Sequence, residues 1–365
     1  MEYAQYGKTG IRISRLGFGA MRFAEPKNVS KMAEAVLAAY DQGINYFDTA
    51  PGYCADMSEK IIGHAVRQMK TGESRFYLSS KTSKPDAEGV RADLHKSLER
   101  LGVDRIDFYH CWYILTMDGW ERRKAGGALD ALLAARQEGL VRHLAFTTHL
   151  AGNEVEQVID ENIFEGVTLG YNAVNFPYRQ EGVKAAGRAG IGLVVMNPLG
   201  GGTIPDNPGA FSYIRNHSGQ SMVSAALDFL WSHSEITTAL VGFRSVDDVR
   251  DAVRAWKNFN PAQKIDLEQM KQHVEDSFDQ LCTGCRYCKD CPQGIEVYKF
   301  IEAYNHVMLK SEESLNDRLK WHYGIDNLEE LDLCTSCGEC ETACTQHLPI
   351  LQRFEEIKKI YGKPV

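Results

Sequence analysis

Eight cysteines fall in two tight groups near the C-terminal end of this 365-residue chain, and no other feature of the sequence points so specifically to a chemistry. The first group reads Cys282-x2-Cys285-x2-Cys288-x2-Cys291-Pro292 and the second Cys334-x2-Cys337-x2-Cys340-x3-Cys344. Of ten cysteines, only Cys54 and Cys111 lie elsewhere. Short C-x-x-C steps let one loop supply three thiolates around an iron–sulfur cluster and leave amide N–H groups free for its sulfides. Zinc also takes paired cysteines, but normally two from each of two knuckles, whereas here four come in one run, twice. A disulfide framework belongs with an export signal, and Met1-Glu2-Tyr3-Ala4-Gln5 has neither the basic start nor the apolar core of one. Metal ligands in a cytoplasmic protein are the expectation.

The two runs resemble the dicluster ferredoxin pattern, in a helical variant given the helix-like stretches between them. The resemblance implies two 4Fe-4S clusters, with the fourth cysteine of each motif serving the other cluster. Cys282, Cys285, Cys288 and Cys344 then hold one, and Cys334, Cys337, Cys340 and Cys291 hold the other. Two departures bear on the fourth ligands: the first motif closes with x2 rather than x3, and Thr345 stands where a proline usually follows.

The remaining residues must form a scaffold large enough for a second site. Hydrophobic residues make up 44% and charged residues 25%, as in soluble globular proteins. Apolar runs such as Ile191–Met196 are too short to span a membrane, and a net charge of −8 argues against broad nucleic-acid binding. Tyr3–Ser14 reads as a hairpin. Strands are predicted at Arg15–Gly19, Asn45–Asp48, Phe76–Ser80, Ile106–His110, His143–Thr147, Gly166–Ala173, Gly192–Asn197 and Ala239–Val241. Helix-like stretches such as Ser30–Gln42, Glu88–Leu101, Ala128–Glu138, Glu154–Glu161 and Ser221–His233 separate them. Eight strands in that rhythm predict an α/β fold, a (β/α)8 TIM barrel over residues 1–262. No strand is followed by the GxGxxG that an open dinucleotide-binding sheet would use. Beyond Pro261 the pattern turns helical, with Ile265, Leu267, Met270, Val274 and Phe278 on one face, then Ile295–Met308 and Ser311–Lys320. A small, mainly α-helical iron–sulfur domain over 263–365 is the expectation, with the boundary near 262–280.

In a parallel barrel, chemistry gathers at the C-terminal ends of the strands. The residues there are Asp48 in Phe47-Asp48-Thr49-Ala50-Pro51-Gly52-Tyr53, then Lys81, His110 and Thr147-Thr148-His149. Asn172 with Asn175, Asn197-Pro198-Leu199-Gly200-Gly201-Gly202 and Gly242-Phe243-Arg244-Ser245 complete the ring. Isolated residues of these types are usually helix caps, solvated charges or packing histidines. One polar or glycine-rich cluster at each of seven successive strand ends is hard to explain as packing.

The set resembles the aldo-keto reductase family over residues 1 to about 258. Arg15 to Gly19, Asp48 with Tyr53, Lys81, Arg100 to Asp104, Arg136 to Gly139, Gly200 to Gly202 and Gly242 to Asp248 carry the resemblance. Members with a ferredoxin-like tail form a known subgroup. The resemblance implies an NAD(H)- or NADP(H)-dependent oxidoreductase of small-molecule carbonyl or alcohol substrates, with Tyr53 as proton donor and Asp48 and Lys81 beside it. A lysine cation next to a tyrosine stabilises the phenolate. The family's histidine position is held by Trp112. Either the strand ends differently and His110 serves, or Trp112 shapes the pocket and another group such as His149 polarises the substrate; His110 packed inside the barrel is the third reading. Cofactor contacts are expected from Thr148, His149, Asn172 and Asn175 at the nicotinamide and from Pro198, Leu199, Gly200, Gly201 and Gly202 at the pyrophosphate. Gly242, Arg244, Ser245 and Asp248 are expected at the adenosine end. Arg244 followed by Asp247 and Asp248 favours NADH or dual use.

Three functions remain open at this point. One is the hybrid reductase, whose clusters pass electrons to or from a partner protein or serve as structure. The second is a cluster-based redox enzyme on a sugar or aromatic ketone without nicotinamide turnover. The third is a non-enzymatic electron carrier or redox sensor with a vestigial barrel.

Overall fold

A computed structural model describes residues 1–260, 265–275, 280–310 and 313–361. Phe278, Ser311 and part of the expected boundary at 262–280 lie outside the described residues. The chain forms two compact units. The first comprises Met1–Leu199 and Asn216–Ile265, the second Gly200–Arg215 and Asp266–Val365. The segment Gly200–Arg215, placed by the sequence reading within the barrel span, thus belongs to the second unit. Within that unit the Tyr213 ring stacks on His273 at 4.9 Å.

The first unit opens with an antiparallel hairpin, β1 (Tyr3–Gln5) and β2 (Arg12–Ser14). Eight parallel strands then close into a barrel: β3 (Leu16–Gly19), β4 (Tyr46–Asp48), β5 (Tyr77–Thr82), β6 (Ile106–Ile114), β7 (Val141–Thr148), β8 (Gly166–Gly170), β9 (Gly192–Met196) and β10 (Thr238–Gly242), which pairs back onto β3. The predicted (β/α)8 barrel is what forms, with the hairpin where the sequence placed it.

Several helices between strands bury one apolar stripe, whereas Met222–Trp231 is buried nearly all round. Ser58–Met69, not foreseen from sequence, buries Ile61, Ile62, Ala65, Val66 and Met69 at helical spacing. Ala87–Leu101 starts on an Asp86 side chain that accepts from the Gly89 amide at 2.8 Å and stops at Gly102, whose left-handed conformation suits glycine. Tyr6 of the hairpin plugs the barrel's N-terminal end with Ile11, Ile13, Tyr46, Tyr77, Phe108, Val194 and Leu240. This plug explains Gly166 and Gly192, which open β8 and β9: a Cβ on either would lie 2.0 or 2.3 Å from the Tyr6 side chain. With that end filled, the C-terminal mouth is left for chemistry.

In the second unit, helices Val297–Leu309 and Ile350–Ile360 share a core of Phe300, Ile301, Leu315, Leu319, Leu331, Phe354 and Ile357. Six of the eight clustered cysteines pack against this core. Among the described residues, no helix is long and apolar enough to cross a membrane.

Candidate functional site

At the barrel mouth, Asp48 ends β4 and Lys81 lies next to the end of β5, both buried. Lys81 Nζ donates to Asp48 Oδ1 at 2.5 Å and to the Thr49 carbonyl at 2.8 Å, and Ser79 Oγ donates to the same carboxylate oxygen at 2.8 Å. Burial pulls the Lys81 pKa below its ordinary value, and the Asp48 carboxylate opposes that pull. Lys81 Nζ lies over the ring of Tyr53, 5.4 Å from its centroid. Asp48, Lys81 and Tyr53 are therefore brought together as the sequence suggested.

The expected fourth member is placed differently. β6 does not end at His110 but continues through Cys111, Trp112 and Tyr113 to Ile114, with a register irregularity between Cys111 and Ile114. His110 is opposite Lys81 in the ladder, fully buried inside the barrel. Burial and the Lys81 cation hold its pKa well below the ordinary histidine value, so the ring is neutral. The β6 side chain that packs on Tyr53 is Trp112, edge to face, with centroids 5.4 Å apart. Cys54 and Cys111 have thiols pushed up by burial, so neither is an activated nucleophile.

The residues expected at a nicotinamide divide in two. Thr148 Oγ1 donates to the Ile114 carbonyl and accepts from the Leu150 amide, both at 3.0 Å. Asn172 accepts from Val174 and Asn175 amides and donates to the Asn197 carbonyl. Both side chains are engaged in shaping loops. Asn175 Oδ1 accepts from the Asn172 amide at 2.9 Å, which orients the group, and its buried Nδ2 has no hydrogen-bond partner among the described residues. A buried amide donor left open suits a carboxamide oxygen. His149, directly after β7, is buried as well. Pro198 and Leu199 follow β9, and Gly200, Gly201 and Gly202 all have positive φ within the second unit. After β10, Ser245 caps helix Val246–Asn258, and the Asp248 carboxylate accepts from the Arg244 amide at 2.8 Å. Gly242 faces Arg22, whose side chain a Cβ would meet at 2.8 Å.

The cysteine loops repeat one backbone. Positive φ occurs at Gly284 and Arg286 in the first motif and at the equivalent Ser336 and Gly338 in the second. It recurs three residues after each fourth cysteine, at Gly294 and His347. The thiols separate into two groups across the motifs. Burial raises the Cys282 pKa, and Cys285, Cys288 and Cys344 add to the rise because they stand close by. Cys288 is pushed up to about 12 by burial, by Cys285 and Cys344, and by Cys340 of the other group. Cys291, Cys334, Cys337 and Cys340 line a common cavity with Ile295, Leu351 and Phe354. Sequence reasoning missed the residue that anchors the first loop. Asn305, on the buried face of Val297–Leu309, accepts from the Cys282 amide and donates to its carbonyl, both at 2.8 Å. A lone asparagine on an amphipathic helix's apolar face was the available signal.

Comparison with known proteins identifies both parts of the chain. Residues 15–275 match the Aldo/keto reductase family, and residues 281–349 match the 4Fe-4S dicluster domain. L-galactose dehydrogenase of Arabidopsis thaliana is 27% identical over 289 residues, 70% of this chain and 88% of that protein. An uncharacterized oxidoreductase of Bacillus subtilis, YrpG, is 25% identical over 303 residues, 70% of this chain and 91% of its own length. The aldo-keto reductase AKR11C1 from Bacillus halodurans, in its holo form, superposes with a TM-score of 0.63 at 21% identity, over 76% of this chain and 96% of that one. The chain is an oxidoreductase that belongs to the aldo/keto reductase family and carries a C-terminal 4Fe-4S dicluster domain.

Proposed function

We propose that the chain is a nicotinamide-dependent oxidoreductase of small carbonyl or alcohol substrates, with Tyr53 as the proton donor in reduction and the acceptor in oxidation. The observation that supports this most directly is the buried Asp48–Lys81 pair beneath the Tyr53 ring. A tyrosine with an ordinary pKa of about 10 is a reluctant acid–base group near neutrality. A desolvated ammonium beside it favours the phenolate, and Asp48 keeps that ammonium charged in spite of burial. Tyr53 then delivers its proton to an oxygen that becomes negative as the carbonyl carbon is reduced. Trp112, packed on Tyr53, walls the substrate and excludes water. Bound at the barrel mouth, a reduced nicotinamide supplies the hydride. The open Nδ2 of Asn175 suits its carboxamide, with Thr148, His149 and Asn172 shaping that pocket. The acidic Asp247 and Asp248 beside Arg244 favour NADH over NADPH.

In the second unit, Cys282, Cys285, Cys288 and Cys344 fit one 4Fe-4S cluster, and Cys334, Cys337, Cys340 and Cys291 a second. Such clusters supply or accept single electrons, exchanged with a partner protein in the cytoplasm. The test is made on anaerobically purified protein. Iron and sulfide near eight per chain are expected, with NADH-dependent reduction of 4-nitrobenzaldehyde that Tyr53→Phe lowers by roughly 10²–10⁴-fold. Full activity in Tyr53→Phe would rule out the proton role. Iron without any NADH or NADPH binding would favour a cluster-based enzyme with Trp112 at its substrate.

A further inference from the structure

Tyr53 sits on a turn that its own sequence does not favour. Gly52 is left-handed at φ +80°, and after Tyr53 come Cys54 (+54°), Ala55 (+54°) and Asp56 (+68°). Three successive residues bearing a Cβ in this region are unfavourable, because the Cβ crowds the following carbonyl. Something outside the turn must hold it. Asp56 Oδ1 accepts from the Gly52 amide at 2.9 Å, closing the loop around Tyr53. The same carboxylate takes both guanidinium nitrogens of Arg100, with Nη1 at 2.7 Å and Nη2 in a second hydrogen bond. Lys96 adds a longer contact at 3.6 Å.

Arg100 is itself referenced to the strand that carries Lys81. Its Nη1 lies 3.3 Å from Glu59, which is 1% exposed, and Glu59 Oε1 accepts from Ser80 Oγ at 2.7 Å. Ser80 immediately precedes Lys81 in β5. The Arg100 backbone is pinned as well, since a Cβ on Gly63 would stand 2.1 Å from the Arg100 carbonyl oxygen, so the helices touch there. The chain Asp56–Arg100–Glu59–Ser80 thus links the Tyr53 turn to the neighbour of Lys81.

We propose that Arg100 is a positioning residue: through Asp56 and Glu59 it holds the left-handed turn and so fixes Tyr53 against Lys81. This rests on the reading of Tyr53 as the acid–base group. A bidentate guanidinium–carboxylate pair suits the task because its planar fork fixes direction as well as distance. Displacement of a reacting group by about 1 Å costs up to ~10²-fold in rate.

The test uses the full chain and four variants: Arg100→Gln, Asp56→Asn, the pair Cys54→Gly with Ala55→Gly, and that pair combined with Arg100→Gln. Glycine adopts positive φ at no steric cost, so the pair removes the need for the clamp. The activity readout is kcat and KM for 4-nitrobenzaldehyde with NADH. The activity-free readout is the tyrosinate absorbance difference between each variant and its Tyr53→Phe counterpart across pH. In Arg100→Gln, kcat is expected to fall at least about tenfold with KM changed less than about threefold. The Tyr53 ionisation should move upward, and the glycine pair should restore both. Asp56→Asn, milder because Asp56 is near the surface, should move the same readouts in the same direction. Unchanged ionisation in Arg100→Gln, or a loss that the glycine pair leaves in place, would overturn the proposal. Tyr53→Phe separates the two levels: if it retains full activity, the acid–base reading fails, whereas the ionisation shift still tests the clamp.

Discussion

The barrel mouth and the cysteine loops both gather charge-bearing groups in places poor in water, and they neutralise that charge differently. At the mouth the protein supplies both signs: Lys81 is matched by Asp48 at 2.5 Å and steadied by the Thr49 carbonyl. In the loops, Cys282 and Cys288 are pushed up by burial and by other thiols, and backbone amides oppose the rise, Gly284 N–H lying 3.4 Å from Cys282 Sγ. Folding alone completes the first site. Four thiolates around one hollow carry more negative charge than the buried guanidinium of Arg353, which acts on Cys282 and Cys344, can offset, so metal uptake completes the second. The lesson is that the units should respond to different perturbations.

The largest expected effect is loss of iron. Six cysteines pack on the small core around Phe300 and Phe354, so releasing them frees both loops and uncovers that core. Chelation under anaerobic, reducing conditions should open residues 280–361, and Gly200–Arg215 of the same unit, to limited proteolysis and leave Met1–Leu199 of the barrel uncut. Equal cleavage in both units, or none in either, would break the contrast. Next in size is Lys81→Met. It leaves Asp48 buried without its partner, and breaking a buried pair costs about 3–5 kcal/mol. Thermal unfolding of the barrel should register this while the iron content stays the same.

A smaller effect separates the two units by pH. His110 is neutral in the fold, with a pKa held well below the unfolded value by burial and by Lys81. Below about pH 6.5 the unfolded chain takes up a proton that the folded barrel refuses, so stability falls as pH falls, by about 1.4 kcal/mol per unit for this group. Above that pH the group contributes no slope. Urea unfolding from pH 7 to 5 should show a shallower decline in His110→Gln than in the parent. Parallel slopes would mean that His110 protonates in the folded state.

These contrasts were legible in the sequence to different depths. Cysteine spacing and the strand-end order of Asp48, Lys81 and the asparagines were plain, because both are local and periodic. The end of β6 was misplaced because His110 looked like a polar terminus. The aromatic and apolar run Cys111-Trp112-Tyr113-Ile114 that prolongs the strand carried the contrary signal. The helix Ser58–Met69 has a clear apolar stripe, but the more specific motif before it dominates that stretch of sequence. Nothing local announced the left-handed turn after Tyr53. Cysteine and alanine do not favour that conformation, and the partner that holds it, Arg100, is 44 residues from Asp56. Long-range compensation of local strain is what a single sequence shows least.

The smallest effect concerns the adenosine end proposed after β10. Arg244 brings a cation to that segment, and its side chain is 70% exposed, 3.4 Å from Asp248. Asp247, also exposed, pairs with Arg250 at 2.9 Å. Two carboxylates at the start of helix Val246–Asn258 oppose the attraction its N-terminus would hold for a 2′-phosphate. Asp248→Asn removes one negative charge yet keeps an oxygen to accept the Arg244 amide, so the turn should persist. Exposed pairs contribute only about 0.2–1 kcal/mol, which corresponds to at most about fivefold in affinity. The KM for NADPH should therefore fall by a factor of about 1.4 to 5 while that for NADH moves less. An equal change for both nucleotides would show that Asp248 acts on the loop rather than on the phosphate, and discrimination would then have to lie elsewhere on the barrel mouth.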